Sequence, residues 1–101
     1  MKGVLTTLLA AFVLPSAVNA ESIEAQLARR QLPRIRTLEQ NAQKFAQMED
    51  YEAACDKQRQ ANYLVGYNFE GLQEVLSDID MFAYRKLALK IEDTMCKLRD
   101  L

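Results

Sequence analysis

The chain contains no histidine among its 101 residues. Histidine is the commonest general base near neutral pH and the commonest metal ligand, so its absence disfavours both kinds of site. A catalytic thiol normally needs such a base, and Cys55 and Cys96 are too far apart for a Cys-x-x-Cys redox pair. These absences predict a protein that is not an enzyme and that holds no metal or other cofactor.

An excess of charge of either sign is also missing, because 13 Lys and Arg balance 14 Asp and Glu. Proteins that bind nucleic acid carry a strongly basic face, so we expect no nucleic-acid partner. Paired carboxylates mostly stand at predicted helix starts, where capping and the helix dipole account for them. No loop combines them with a glycine turn, as calcium binding requires. The alternative function is a ligand carrier or a hydrolytic enzyme that uses acidic residues in a cleft between helices.

No apolar run is long enough to cross a bilayer, which takes about 20 residues. The longest run, residues 4–14, follows a positive start at Lys2 and precedes Pro15. Val18 and Ala20 then supply the small residues that a signal peptidase reads. This layout predicts a signal peptide over residues 1–20 and an exported protein with no stable membrane span. Periplasm, organelle lumen and extracellular medium are all open as its destination.

The mature chain, residues 21–101, is long enough for a single small helical domain. A domain of this length buries only about 60–65% of its unfolded surface and is marginally stable without a covalent crosslink. Export allows the two cysteines to oxidise, so we expect a disulfide between Cys55 and Cys96. Closing this loop is expected to stabilise the fold by about 4 kcal/mol.

Apolar residues recur every three or four positions through most of the mature chain, which is the period of a helix with one buried face. The longest stripe lies within residues 50–79 and has Gln58 as a polar member. Helices are predicted over about 22–48 with a kink at Pro33, 50–78 with a weak point at 66–71, and 80–99. Short connections place successive helices antiparallel, so the predicted fold is an all-α antiparallel three-helix bundle.

Two glycines create the weak point in the middle helix. Gly66 and Gly71 each cost a helix interior about 1 kcal/mol. Gly66 followed by Asn68 could instead end one helix and begin another. Because the apolar stripe crosses this stretch in phase, from Val65 to Phe69, a continuous helix is favoured.

Residues 41–61 resemble one tetratricopeptide helix–turn–helix. The resemblance rests on Asn41-Ala42, on Asp50-Tyr51-Glu52-Ala53-Ala54 and on Ala61. Gln58 stands where that family has an aromatic residue, and no second copy follows, whereas such repeats are stable in stacks of about three. The resemblance therefore implies an antiparallel hairpin with a tight turn and carries no function.

The disulfide sets a geometric condition on three straight helices. Counted from a shared turn near residue 79, Cys55 stands ~35 Å and Cys96 ~25 Å along their helices, at 1.5 Å per residue. The Cα atoms of a disulfide lie within about 7 Å of each other. The difference of ~10 Å predicts a helix tilt, an adapted turn or a kink at residues 66–71.

Two groups of side chains are candidates for binding a partner. They are the arginines around Pro33, namely Arg29, Arg30, Arg34 and Arg36, and the tyrosines one turn apart, Tyr63 and Tyr67. Arginines suit an acidic protein or an anionic surface, and exposed tyrosines suit a protein contact. The plainer interpretation is a solvated charged face with tyrosines packed at its edge. We expect a small exported interaction, inhibitor or accessory module whose partner is another protein.

Overall fold

Four helices form the part of the protein that its structure, a computed structural model, describes: residues 21–101. They are α1, Ile23–Gln47; α2, Tyr51–Tyr67; α3, Phe69–Val75; and α4, Met81–Arg99. Residues 21–101 contain no strand and no helix long and apolar enough to cross a membrane. The all-α prediction is confirmed, but the bundle has four helices rather than three. The predicted signal peptide, residues 1–20, lies outside the described residues.

Polar side chains begin the three long helices. Ser22, Asp50 and Asp80 each accept hydrogen bonds of 3.0–3.2 Å from main-chain amides two or three residues further on. Such caps satisfy amides that have no partner inside the helix. Pro33 lies within α1, which continues through it with buried residues on both sides.

The division of the predicted middle helix occurs at Asn68. Its backbone leaves the helical region, with φ −105° and ψ 20°. Its side-chain amide donates to the carbonyl oxygen of Leu64 at 2.8 Å, and its main-chain amide donates to the same oxygen at 3.0 Å. Asparagine side chains compete in this way with regular helical bonding. The expected continuous helix is therefore wrong, and α2 and α3 are separate elements.

The helices pack around α2. It lies closely against both α1 and α4, whereas α3 packs mainly on α1. The interior has two apolar clusters. One contains Ala28, Ile35, Val65, Leu72 and Met81, and the other contains Ala42, Ala54, Cys55 and Met95. Gln58 and Asn62 are also buried on α2, so the polar member of the apolar stripe does lie in the interior.

The predicted disulfide is confirmed, since Cys55 and Cys96 are bonded with their Cα atoms 4.8 Å apart. From this bond α2 and α4 run antiparallel in a constant register. Eleven residues further along each helix, the Arg85 guanidinium lies against Gly66. In three straight helices, the middle helix would extend ~10 Å further than the last one between the disulfide and their shared turn. This excess equals the length of the seven-residue α3. Packing α3 against α1 removes this excess length from the α2–α4 pair.

Gly71 allows α3 to lie close against the start of α1. A Cβ atom at this position would overlap the main-chain carbonyl of Glu24 and come within 2.9 Å of the Ala28 side chain. Ser22 adds a hydrogen bond from its hydroxyl to the Glu74 carboxylate of α3. The first turns of α1 are therefore fixed by α3.

Candidate functional site

Tyr63 and Tyr67 form an exposed aromatic pair on α2. Their side chains project from the side of the helix opposite its buried face, and they remain 69% and 78% exposed. The two rings are stacked with centroids 6.2 Å apart and planes inclined by 22°. Residues four apart are neighbours on a helix surface, so the sequence spacing accounts for the pair.

A concavity beside Tyr63 joins the tyrosines to one of the predicted arginines. It has a volume of about 440 Å³ and lies between α1 and α2, with Arg34 and Leu38 on one wall. Asp56, Arg59 and Tyr63 are on the opposite wall. Arg59 was not among the sequence candidates, although it stands one helical turn before Tyr63. The structure thus brings together Arg34 and Tyr63, which are far apart in the sequence.

A second concavity, of about 490 Å³, lies beside Tyr67. Leu27 of α1 lines it and is 47% exposed. Glu24 and Glu70 also line it and are the two acids that share this concavity; both are exposed to solvent. We refer to the connected surface formed by Leu27, Arg34, Arg59, Tyr63 and Tyr67 as the tyrosine surface.

The other predicted arginines do not join this surface. Arg29 forms an exposed ion pair with Glu21 at 2.7 Å, and their hydrogen bond raises the pKa of Arg29 and lowers the pKa of Glu21. Arg30 is exposed on α1. Arg36 lies across α1 from Arg34 and lines a different cavity, next to α4. The four arginines are therefore spread around α1 because three or four residues make one helical turn.

The cavity next to Arg36 contains a polar pair that the sequence analysis missed. Tyr84 of α4 donates a short hydrogen bond from its hydroxyl to the Glu39 carboxylate of α1. Burial raises the pKa of the Tyr84 hydroxyl, and the bond to Glu39 raises it further. Both residues are partly buried. The sequence signal for this pair is a tyrosine within the apolar pattern of the last helix. The acid that it binds is 45 residues away, so the sequence does not indicate which residue is its partner.

Most of the paired carboxylates have structural partners. Asp50 and Asp80 cap helices, and Asp93 forms an ion pair with Lys97. Asp56 accepts a hydrogen bond from Gln60, and Glu92 accepts one from Asn62. Within residues 21–101 no three acidic or cysteine side chains group as they would to hold a metal ion. Comparisons of the chain with protein-family models, with curated proteins and with solved structures find no match.

Proposed function

We propose that the chain is an exported, non-enzymatic interaction module that binds another protein through the tyrosine surface. The observation that carries this proposal is the stacked, largely exposed pair of Tyr63 and Tyr67. Tyrosines supply large contact area and a polar hydroxyl at once, and they are enriched among the residues that dominate binding energy. A tyrosine pair with only a structural role would be expected to bury more of its rings.

The surroundings of the tyrosines support the same proposal. Leu27 adds apolar area beside Tyr67, next to the carboxylates of Glu24 and Glu70. Arg34 and Arg59 add positive charge beside Tyr63, where Asp56 also lies. An aromatic centre with arginines at its edge is a common composition for a protein-binding surface. The partner that fits this surface is a protein with an apolar contact patch bordered by charges of both signs, with acidic groups opposite the two arginines and basic groups opposite Glu24 and Glu70.

Export is part of the proposal and is supported by two features. The first is the signal-like pattern of residues 1–20, with its positive start, apolar run and small residues before Glu21. The second is the bond between Cys55 and Cys96, since disulfides persist in oxidising compartments. Binding would then take place in the periplasm, in an organelle lumen or outside the cell.

The test is capture of a partner from the exported fraction with the purified oxidised protein as bait. Wild-type protein is expected to retain a partner, and the double substitution Tyr63→Ala/Tyr67→Ala is expected to lose it, with a fall in affinity of at least tenfold. Loss of two such anchor residues typically costs more than 1 kcal/mol each. Binding is measured on the identified partner by calorimetry.

Met48→Ala is the matched control. Met48 is 65% exposed and follows α1, away from the tyrosine surface, so its truncation removes a similar exposed apolar side chain. It should leave binding unchanged. Retention of full affinity by the tyrosine double variant would refute the assignment of the surface, and vesicle binding lost with the same two tyrosines would favour an anionic surface over a protein.

A further inference from the structure

A groove runs between α1 and α4, and it shares no residue with the tyrosine surface. Both helices pack closely on α2 but approach each other closely at few points. Glu39 meets Tyr84, and seven residues further along each helix Ala46 and Ile91 line the same cavity. The equal steps show that α1 and α4 run parallel and in register, so the cavities next to Tyr84 and Ile91 lie one after the other along the same pair of helices.

The groove is apolar at both ends. One end is the cavity of about 120 Å³ next to Tyr84, and the other has a volume of about 410 Å³. Large apolar side chains line it and remain exposed, with Ile79 at 45%, Leu87 at 58% and Leu98 at 36%. Exposed apolar side chains grouped along two neighbouring helices in this way are typical of a surface that another molecule covers.

The groove-lining residues form a second packing face on α4. Its first face, with Met81, Ala88 and Met95, is buried in the bundle. The second lies beside it, and its residues alternate at spacings of three and four: Tyr84, Leu87, Ile91, Thr94 and Leu98. This alternation is the pattern by which helices pack side by side. The stripe extends for about 20 Å at 1.5 Å per residue, enough for a partner helix of four turns.

Positive charge borders this apolar face. Arg36 of α1 lines one end of the groove and Lys90 of α4 lines the other. The ion pairs that form within residues 21–101 involve neither of them. Glu39 is the carboxylate in the groove, and it accepts the Tyr84 hydroxyl. Beyond Glu39, the exposed positions of α1 at helical spacing from Arg36 are uncharged glutamines: Gln40, Gln43 and Gln47.

We infer that the groove between α1 and α4 binds an acidic amphipathic helix of a partner protein. The apolar face of that helix covers Leu87 and Leu98, and its acidic side chains face Arg36 and Lys90. Helix-in-groove recognition uses apolar anchors at helical spacing, and complementary charge beside them adds specificity. A second copy of the chain fits less well, because it would bring the same two cations into a shared interface.

The first test uses a designed probe. An 18-residue helical peptide with leucines at alternating spacings of three and four and glutamates at the flanking positions is titrated into the oxidised protein. A matched peptide replaces every glutamate with lysine. Fluorescence anisotropy should show binding of the glutamate peptide at least tenfold tighter than the lysine peptide, with the difference shrinking as salt rises. Equal affinity for both peptides, or no binding, would overturn the inference.

Variants then locate the binding. Leu87→Gln/Leu98→Gln should weaken binding of the glutamate peptide at least tenfold. Arg36→Gln/Lys90→Gln should reduce the difference in affinity between the glutamate and lysine peptides to less than threefold. These side chains are at least partly exposed, so the variants should fold, which a thermal melt checks. Tyr63→Ala/Tyr67→Ala is the control and should bind as wild type, which keeps this result independent of the proposed function.

Binding of a different molecule in the groove would give different experimental results. Sedimentation that shows a dimer abolished by Leu87→Gln/Leu98→Gln would assign the groove to a second copy and overturn the inference. Binding to phosphatidylglycerol vesicles that depends on the same leucines, with no binding of either peptide, would assign it to a membrane surface and overturn it as well.

Discussion

Asn62 satisfies several polar groups within an apolar interior. Its side-chain amide donates to the Ala88 carbonyl at 2.9 Å and to the Glu92 carboxylate at 3.0 Å, and its oxygen accepts from Gln58 at 3.0 Å. Asn62 and Gln58 are 5% and 3% exposed. A buried amide without partners is costly, so these bonds fix how α2 and α4 are aligned.

Replacing Asn62 with alanine should therefore destabilise the protein by about 1–3 kcal/mol, because the Gln58 amide is left buried without its partner. Urea denaturation of the oxidised protein measures the change. The double substitution Gln58→Leu/Asn62→Leu removes both polar groups and should recover most of the loss. An unfolding midpoint for Asn62→Ala equal to that of wild type would show that this network contributes nothing to stability.

Among the elements, α3 decides how the rest of the chain fits together. It is only seven residues long and lies on α1 rather than on α4. Its close approach depends on Gly71, where the main chain of α1 occupies the space of a side chain. Gly66, the other glycine of the pair, faces the flexible end of the Arg85 side chain instead.

Gly71→Ala should destabilise the protein by about 2–3 kcal/mol, because an added Cβ forces α3 away from α1 and overpacking of this kind is costly. Thermal and urea unfolding give the value. Gly66→Ala is the matched control: Arg85 can swing aside, and alanine favours the helix by up to about 1 kcal/mol, so stability should stay within 1 kcal/mol of wild type. Equal losses for the two variants would contradict the close approach at Gly71.

For the whole molecule, the disulfide joins the start of α2 to the end of α4 and thereby closes the helix pair that runs antiparallel. The bonded cysteines are 41 residues apart, so the bond restricts about half of residues 21–101 in their unfolded state. The core cluster around the disulfide consists mainly of small side chains, such as Ala42 and Ala54, so it buries little apolar surface. A covalent link is accordingly a large share of the total stability.

Cys55→Ser should lower the stability of the oxidised protein by about 4 kcal/mol. For a domain of 60–100 residues this corresponds to a fall in Tm of roughly 15–30 °C. Calorimetry of the oxidised and reduced forms makes the comparison. The reduced wild type and the reduced variant should have the same Tm. Identical Tm values for the oxidised wild type and the variant would show that the disulfide does not stabilise the protein.

The amino-acid sequence by itself determined the helical class, the cysteine pair and the helix starts. These features are local or have no alternative: the apolar period repeats within each helix, the caps act over two or three residues, and two cysteines allow one pairing. The helix starts expected at about residues 22, 50 and 80 accordingly lie one residue before the first residues of α1, α2 and α4.

Only the tertiary structure decided where the middle helix divides and how the surface residues are grouped. The apolar period favoured one continuous helix across residues 66–71. The register required by the disulfide, together with the packing of Gly71 on α1, gives two helices instead. Likewise, Arg34 joins Tyr63 while Arg36 joins Tyr84, because neighbouring helices, which the sequence does not specify, cover different sides of α1. Such long-range placement depends on packing between distant segments, and no local pattern encodes it.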